Sequence, residues 1–90
     1  MKPRFYYLGI ASRKSDFYLF APLDEFGVSR DTTKTSLEEA KRIAREQKKD
    51  CEVNGICAII EVYTMEETEE GQSLGYTSET VYKTHTAARH

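Results

Sequence analysis

Residues 35–49 read TSLEEAKRIAREQKK, and this stretch decides the fold. Ser36 stands three residues before Glu39, the spacing of a capping box, in which each side chain satisfies a free backbone donor at a helix start. Leu37, Ala40, Ile43, Ala44 and Gln47 then recur at helical spacing and form one narrow apolar stripe. Glu38 and Glu39 fall in the first turn and Lys48 and Lys49 in the last, which matches the helix dipole. The pattern predicts one amphipathic helix, and no second stretch repeats it.

The flanking sequence has the composition of strands. Residues 4–11 (RFYYLGIA) are aromatic and branched, residues 12–15 form a polar turn, and residues 16–21 (DFYLFA) make a second strand that Pro22 interrupts. Residues 23–34 hold Leu23, Phe26 and Val28 among polar neighbours, the pattern of a long, partly packed loop. Beyond the helix, residues 56–65 (ICAIIEVYTM) form the strongest strand of the chain. Residues 66–75 are an acidic loop, and residues 76–84 (YTSETVYKT) a polar last strand suited to a sheet edge, where Lys83 discourages unwanted pairing. The expectation is an α+β fold of order β-β-α-β-β: an antiparallel sheet with one helix packed on one face. A single domain covers residues 1–85, followed by a frayed tail at 86–90.

Asn54-Gly55 is a favoured type I′ hairpin pair. As a two-residue turn it would send Cys51 and Cys57 to opposite sides of a ribbon, where they cannot bridge; as a loop it imposes no such restriction. Either way the two cysteines read as free thiols, buried or half-buried.

Composition bounds the function classes. Of 90 residues, 39% are hydrophobic and 31% charged, which suits one globular core and excludes a disordered chain. No apolar run approaches the roughly 18–20 residues of a membrane helix, and the basic, tyrosine-rich start lacks the long apolar stretch of a signal peptide. The expected location is the cytoplasm. The net charge of −2 is too small to name a partner, but its distribution is uneven. Lys2, Arg4, Arg13 and Lys14 make the start basic; Lys41, Arg42, Arg45, Lys48 and Lys49 make the helix basic. Residues 61–82 hold six glutamates and no Lys or Arg. A dipolar molecule follows, with a pole that solvates or docks an opposite charge.

Neither side of the strands is cleanly polar. Tyr6, Leu8 and Ile10 alternate with Phe5, Tyr7 and Gly9; Phe17 and Leu19 with Tyr18 and Phe20; Ile56, Ala58, Ile60 and Val62 with Cys57, Ile59, Tyr63 and Met65. Four strands span roughly 19 Å across, whereas one helix is about 10 Å wide. A single helix cannot cover both faces. The second face is covered by the loop carrying Leu23, Phe26 and Val28, by a second copy of the chain, or by another macromolecule. Its residues would be Tyr6, Tyr18, Ile59 and Tyr63; the acidic loop offers Glu66, Glu67, Glu69 and Glu70 as a second contact.

Signals of chemistry are thin. The cysteines lack CxxC spacing, His85 and His90 lie near the chain end, and no phosphate-binding glycine motif occurs, so no metal, cofactor or catalytic residue is assigned. Cys51 or Cys57 with His85 is the one conceivable nucleophile–base pair. The basic helix residues Lys41, Arg42 and Arg45 could track phosphates.

The stretch SLEEAKRIA at 36–44 resembles the SLxxAKRIA helix of small proteins of phages and mobile elements, some of them anti-CRISPR proteins built from one helix on a bent antiparallel sheet. The resemblance implies an accessory protein of a mobile element, and Lys41, Arg42 and Arg45 as contacts to a surveillance complex or nucleic acid. The expected function is a small non-enzymatic interaction module that binds a protein partner or itself through an aromatic sheet face. The alternative is a nucleic-acid-binding or anti-CRISPR-like inhibitor that uses the basic helix.

Overall fold

Strand β3 (Ala58–Glu66) is the centre of the molecule because every second residue of its first half is apolar and inward: Ala58, Ile60 and Val62 are buried, and Thr64 continues the row. The computed structural model describes residues 4–12, 14, 16–66 and 78–87. On one side β3 pairs with β1 (Arg4–Ser12), and on the other with β4 (Ser78–His85). Strand β2 (Tyr18–Pro22) pairs with β1, so the antiparallel four-stranded sheet has the order β2-β1-β3-β4. Helix α1 (Leu37–Val53) crosses from the β2 edge back to β3 and packs against β3 and β4. The order β-β-α-β-β and the edge position of the last strand are as expected.

The core lies between the helix and one sheet face. Ala40, Ile43 and Ala44 of α1 meet Leu8 and Ile10 of β1 and Ile60 and Val62 of β3 in one buried cluster. Tyr6 belongs to this cluster at 6% exposure. The helix packs mainly on the β3–β4 half. The other half is roofed by a 3-10 helix (Leu23–Phe26) that contacts β1 and β2: Leu23 is fully buried, and Phe26 and Val28 pack against the same cluster. The loop expected as a cover for the second face therefore lies on the same side as the helix. Its return is pinned to β1, where Tyr6 N donates to Arg30 O at 2.7 Å and Thr32 N to Arg4 O at 3.2 Å.

The N-cap forms as the sequence indicates on one side only. Ser36 Oγ accepts from Glu39 N at 3.2 Å, while the Glu39 carboxylate turns to Arg42 instead of completing the box. At the other end the helix overruns its expected limit by a turn. Asn54-Gly55 is neither hairpin turn nor plain loop. Asn54 has φ −91° and Gly55 φ 73°, with Ile56 N donating to Cys51 O at 2.8 Å and Gly55 N to Glu52 O at 3.2 Å. These two bonds define a Schellman C-cap, which uses one left-handed residue where a type I′ turn needs two. Cys51 becomes a buried member of the helical stripe, and both cysteines are free thiols. The overrun places Asp50 and Glu52 in the last turn, where no basic residue falls, so Lys48 and Lys49 do not offset the dipole there.

Thr86, expected in a frayed tail, is buried. Its N–H donates to Ala58 O at 3.0 Å, and its Oγ accepts from Ala58 N at 3.0 Å. Ala87 N donates to Glu52 Oε2 at 2.9 Å, which ties the strand end to the helix end.

Nothing lies within 4 Å of a Cβ added at Gly55, so a side chain there meets backbone strain alone. Gly55→Ala is expected to cost about 1 kcal/mol in a denaturant melt. An unchanged midpoint would show that the left-handed cap is dispensable.

Candidate interaction face

The sheet face away from the helix carries a row of rings. Register places Tyr7, Gly9 and Ala11 of β1 beside Phe20 and Tyr18 of β2 and beside Tyr63, Glu61 and Ile59 of β3. Tyr7 and Phe20 stack with centroids 5.3 Å apart and planes 4° from parallel. Phe20 and Tyr63 meet at 5.7 Å, tilted by 54°. Gly9 makes this possible. A Cβ at Gly9 would come within 2.9 Å of Tyr63 Cε2, so the Tyr63 ring crosses β1 only because that position has no side chain. Tyr18 ends the row at 66% exposure and Phe20 is 41% exposed. Among the described residues, no secondary-structure element packs over these rings.

Of the sheet residues read as a site, Tyr18, Ile59 and Tyr63 share this face. Tyr6 does not. It pairs with Thr64 and points into the core, because even-numbered positions of β1 face the helix; burial pushes its hydroxyl pKa up. Of the acidic candidates, Glu66 sits at the end of β3 with Arg4 Nε at 3.4 Å, while Glu67, Glu69 and Glu70 lie outside the described residues. Phe20, Tyr7 and Gly9 were not singled out, although the signal was present: Phe20 is two residues from Tyr18, and a strand glycine among aromatics marks a close approach.

One carboxylate is set among the rings. Glu61 accepts a hydrogen bond from Thr80 Oγ1 at 3.4 Å and lies 3.9 Å from Lys83 Nζ. Burial, then the Glu61 hydrogen bond and charge, push the Tyr63 pKa up to about 12. A second cation on this side, Arg30, lies 5.0 Å over the Phe5 ring and 3.7 Å from Asp24. Beside the rings is a groove of about 220 Å³ walled by Tyr18, Phe20, Tyr63, Met65 and Ser78.

The basic helix residues are largely neutralised. Arg42 forks between Glu39, at 2.9 Å, and Glu46. Lys41 lies 3.6 Å from Glu38 and 5.6 Å over the Tyr82 ring. Arg45 is exposed with Lys49 near it in sequence, beside Glu46 and Glu52 in a shallow depression of the helix surface. The helix carries Lys41, Arg42, Arg45, Lys48 and Lys49 against Glu38, Glu39, Glu46, Asp50 and Glu52, five of each sign.

The conceivable Cys51–His85 pair is not assembled. Cys51 is buried on the helix side, with its pKa raised by burial and then by Asp50 and Glu52, whereas His85 pairs with Ile59 on the open face. Cys57 lines a separate cleft with Lys14, Ile56 and Thr86, and His85 is not among its described walls. No group of three His, Cys, Asp or Glu that could hold a metal occurs among the described residues, nor does a helix long and apolar enough to cross a membrane. No protein-family model matches the chain, and neither a curated protein nor a solved structure does.

Tyr63 keeps its proton more tightly when folded than at the ordinary value of 10.0, so its contribution to stability is complete below pH 10 and is lost as pH rises toward 12. In a ring-resolved NMR titration Tyr63 is expected to ionise near pH 12, and Glu61→Gln to bring its midpoint down. A Tyr63 midpoint at 10 would show that neither burial nor Glu61 acts on it.

Proposed function

We propose that the protein is a non-enzymatic interaction module that docks a protein partner on the open face of its sheet. The observation that carries this is the continuous row Tyr7–Phe20–Tyr63, with Tyr18 at its exposed end, on a face that neither α1 nor the 3-10 helix covers. Rigid rings presented from strands lose little side-chain entropy on binding, and tyrosine is enriched where proteins meet. The likeness of the SLEEAKRIA helix to mobile-element proteins supports an accessory role in such an element.

A protein fits this face better than a nucleic acid. A polyanion needs unpaired cations beside its stacking rings. Here Lys83 stands next to Glu61 and Arg30 next to Asp24. The alternative site on the helix has as many acids as bases, and Arg42 is held by two of those acids.

A photo-crosslinking benzophenone side chain in place of Tyr18, expressed in the source cells, tests this directly. The expected result is a discrete protein adduct that is lost when Phe20→Ser is added and is missing when the probe is moved to Val53 at the helix end. Nuclease-sensitive adducts, or none at position 18, would overturn the proposal. An adduct of twice the chain's mass would replace the partner by a second copy.

A further inference from the structure

We infer that Gly9 is the positioning residue of the open face: it leaves room for the Tyr63 ring to lie over β1, and the glycine serves that seat rather than any need of the backbone. This rests on the docking function proposed above and names the residue that sets the shape of the surface that docks.

Backbone conformation is the first reason. Among the described glycines only Gly27 and Gly55 have positive φ. Gly9 lies inside β1 in ordinary extended backbone, opposite Phe20 on β2 and Glu61 on β3. A glycine there loses more freedom on folding than other residues and has no side chain to pack. For the strand alone, alanine would be the better residue. Space is the second reason. Gly9 is buried, although it faces the side of the sheet that no described element covers. A Cβ at this position would stand 3.6 Å from Phe20 Cδ1, an ordinary contact, but 2.9 Å from Tyr63 Cε2. The conflict is with the outer part of one ring, which swings about its side-chain bonds at little cost. All three of the nearest atoms belong to side chains, so no backbone atom is among those that oppose an added methyl. An alanine would leave the sheet intact and lift Tyr63.

The place of Tyr63 in the row of rings is the third reason. Phe20 stands between Tyr63 and Tyr7, with centroids 5.7 Å and 5.3 Å away. Tyr63 and Phe20 also wall the groove beside Tyr18. A ring raised off β1 gives up its tilted contact with Phe20 and stands proud of a surface that is otherwise one ring thick. Protein surfaces pack closely only where their shapes match, so one proud ring holds a partner off its neighbours. Burial is the main cause that lifts the Tyr63 hydroxyl to about 12. Raising the ring into water would undo part of that lift, which gives the ring position a spectroscopic readout. Gly9 thus favours the docking surface over the strand that carries it.

The test is Gly9→Ala in the whole chain, read in three ways. The denaturant midpoint is expected to stay or rise. The Tyr63 ionisation midpoint is expected to fall from about 12 toward 10. The photo-crosslinked protein adduct at position 18 is expected to weaken about fivefold or more, the size of a lost aromatic contact. In a Tyr63→Thr background, where no ring crosses β1, Gly9→Ala is expected to leave the adduct at the level that Tyr63→Thr alone gives. A lower denaturant midpoint would show that the glycine serves the fold, and overturns the inference. So does a Tyr63 ionisation that Gly9→Ala does not move. A further loss of adduct on adding Gly9→Ala to Tyr63→Thr overturns it as well, since Gly9 would then act through something other than that ring. An adduct that survives Gly9→Ala overturns this inference alone; an adduct absent even with Gly9 in place overturns the docking function, and the inference with it.

Discussion

A four-stranded sheet is about twice as wide as the helix available to cover it. That inequality governs the rest of the structure. Helix α1 packs mainly on β3 and β4. The β1–β2 half needs its own cover, which the chain supplies at once: Pro22 ends β2, and Leu23 turns directly into the core. The long connection between β2 and α1 is spent on this task, pinned to β1 through Arg30 and Thr32. No described element remains for the opposite face, and the apolar residues there pack sideways against one another. Tyr63 lies over Gly9, Phe20 lies between Tyr63 and Tyr7, and the sheet gains a thin second layer made of its own rings.

Electrostatics follows the same economy of local pairing. The sequence separates its charges into basic and acidic runs, as a dipolar molecule would. Folding brings the runs together. Arg4, from the basic start, lies between Glu66 and Glu79 of the acidic half and also donates to Thr64 at 3.3 Å. On the helix, acids and bases three and four residues apart pair within the element itself. These exposed pairs contribute little stability, but they flatten the field over the helix. The open face is left with Glu61 beside Lys83 and Arg30 beside Asp24.

Much of this was legible in the residues. The helix, the strand order and the edge position of β4 follow from periodicity and punctuation alone. The helix end did not, because Asn-Gly serves two geometries and the sequence does not choose between them. A clue was nonetheless present: Cys51 continues the stripe Ala40, Ala44, Gln47 at the next helical step. Which sheet face the helix would take was not readable either, since both sides of β1 are apolar. Tyr6 and Tyr7 differ only in parity, and parity becomes inside or outside once α1 and Leu23 have settled. The site was legible to the extent that it lay on the odd positions of β3 and the even positions of β2. Its supporting glycine was not, because an absent side chain matters only once a neighbour's ring is known to cross it.

The pairing of β3 with β4 slips by one residue between Val62 and Tyr63, which leaves Val81 without a partner. Val81 and Tyr82, adjacent in sequence, both turn toward the core. This bulge twists the outer margin of β4 away from the straight template that lateral growth requires. The other margin, β2, is five residues long and finishes in a proline. Neither flank of the molecule is suited to recruiting another ribbon into an endless ladder. A protein that shows aromatic surface to its surroundings is thereby steered away from fibrils, toward contacts made broadside and one at a time.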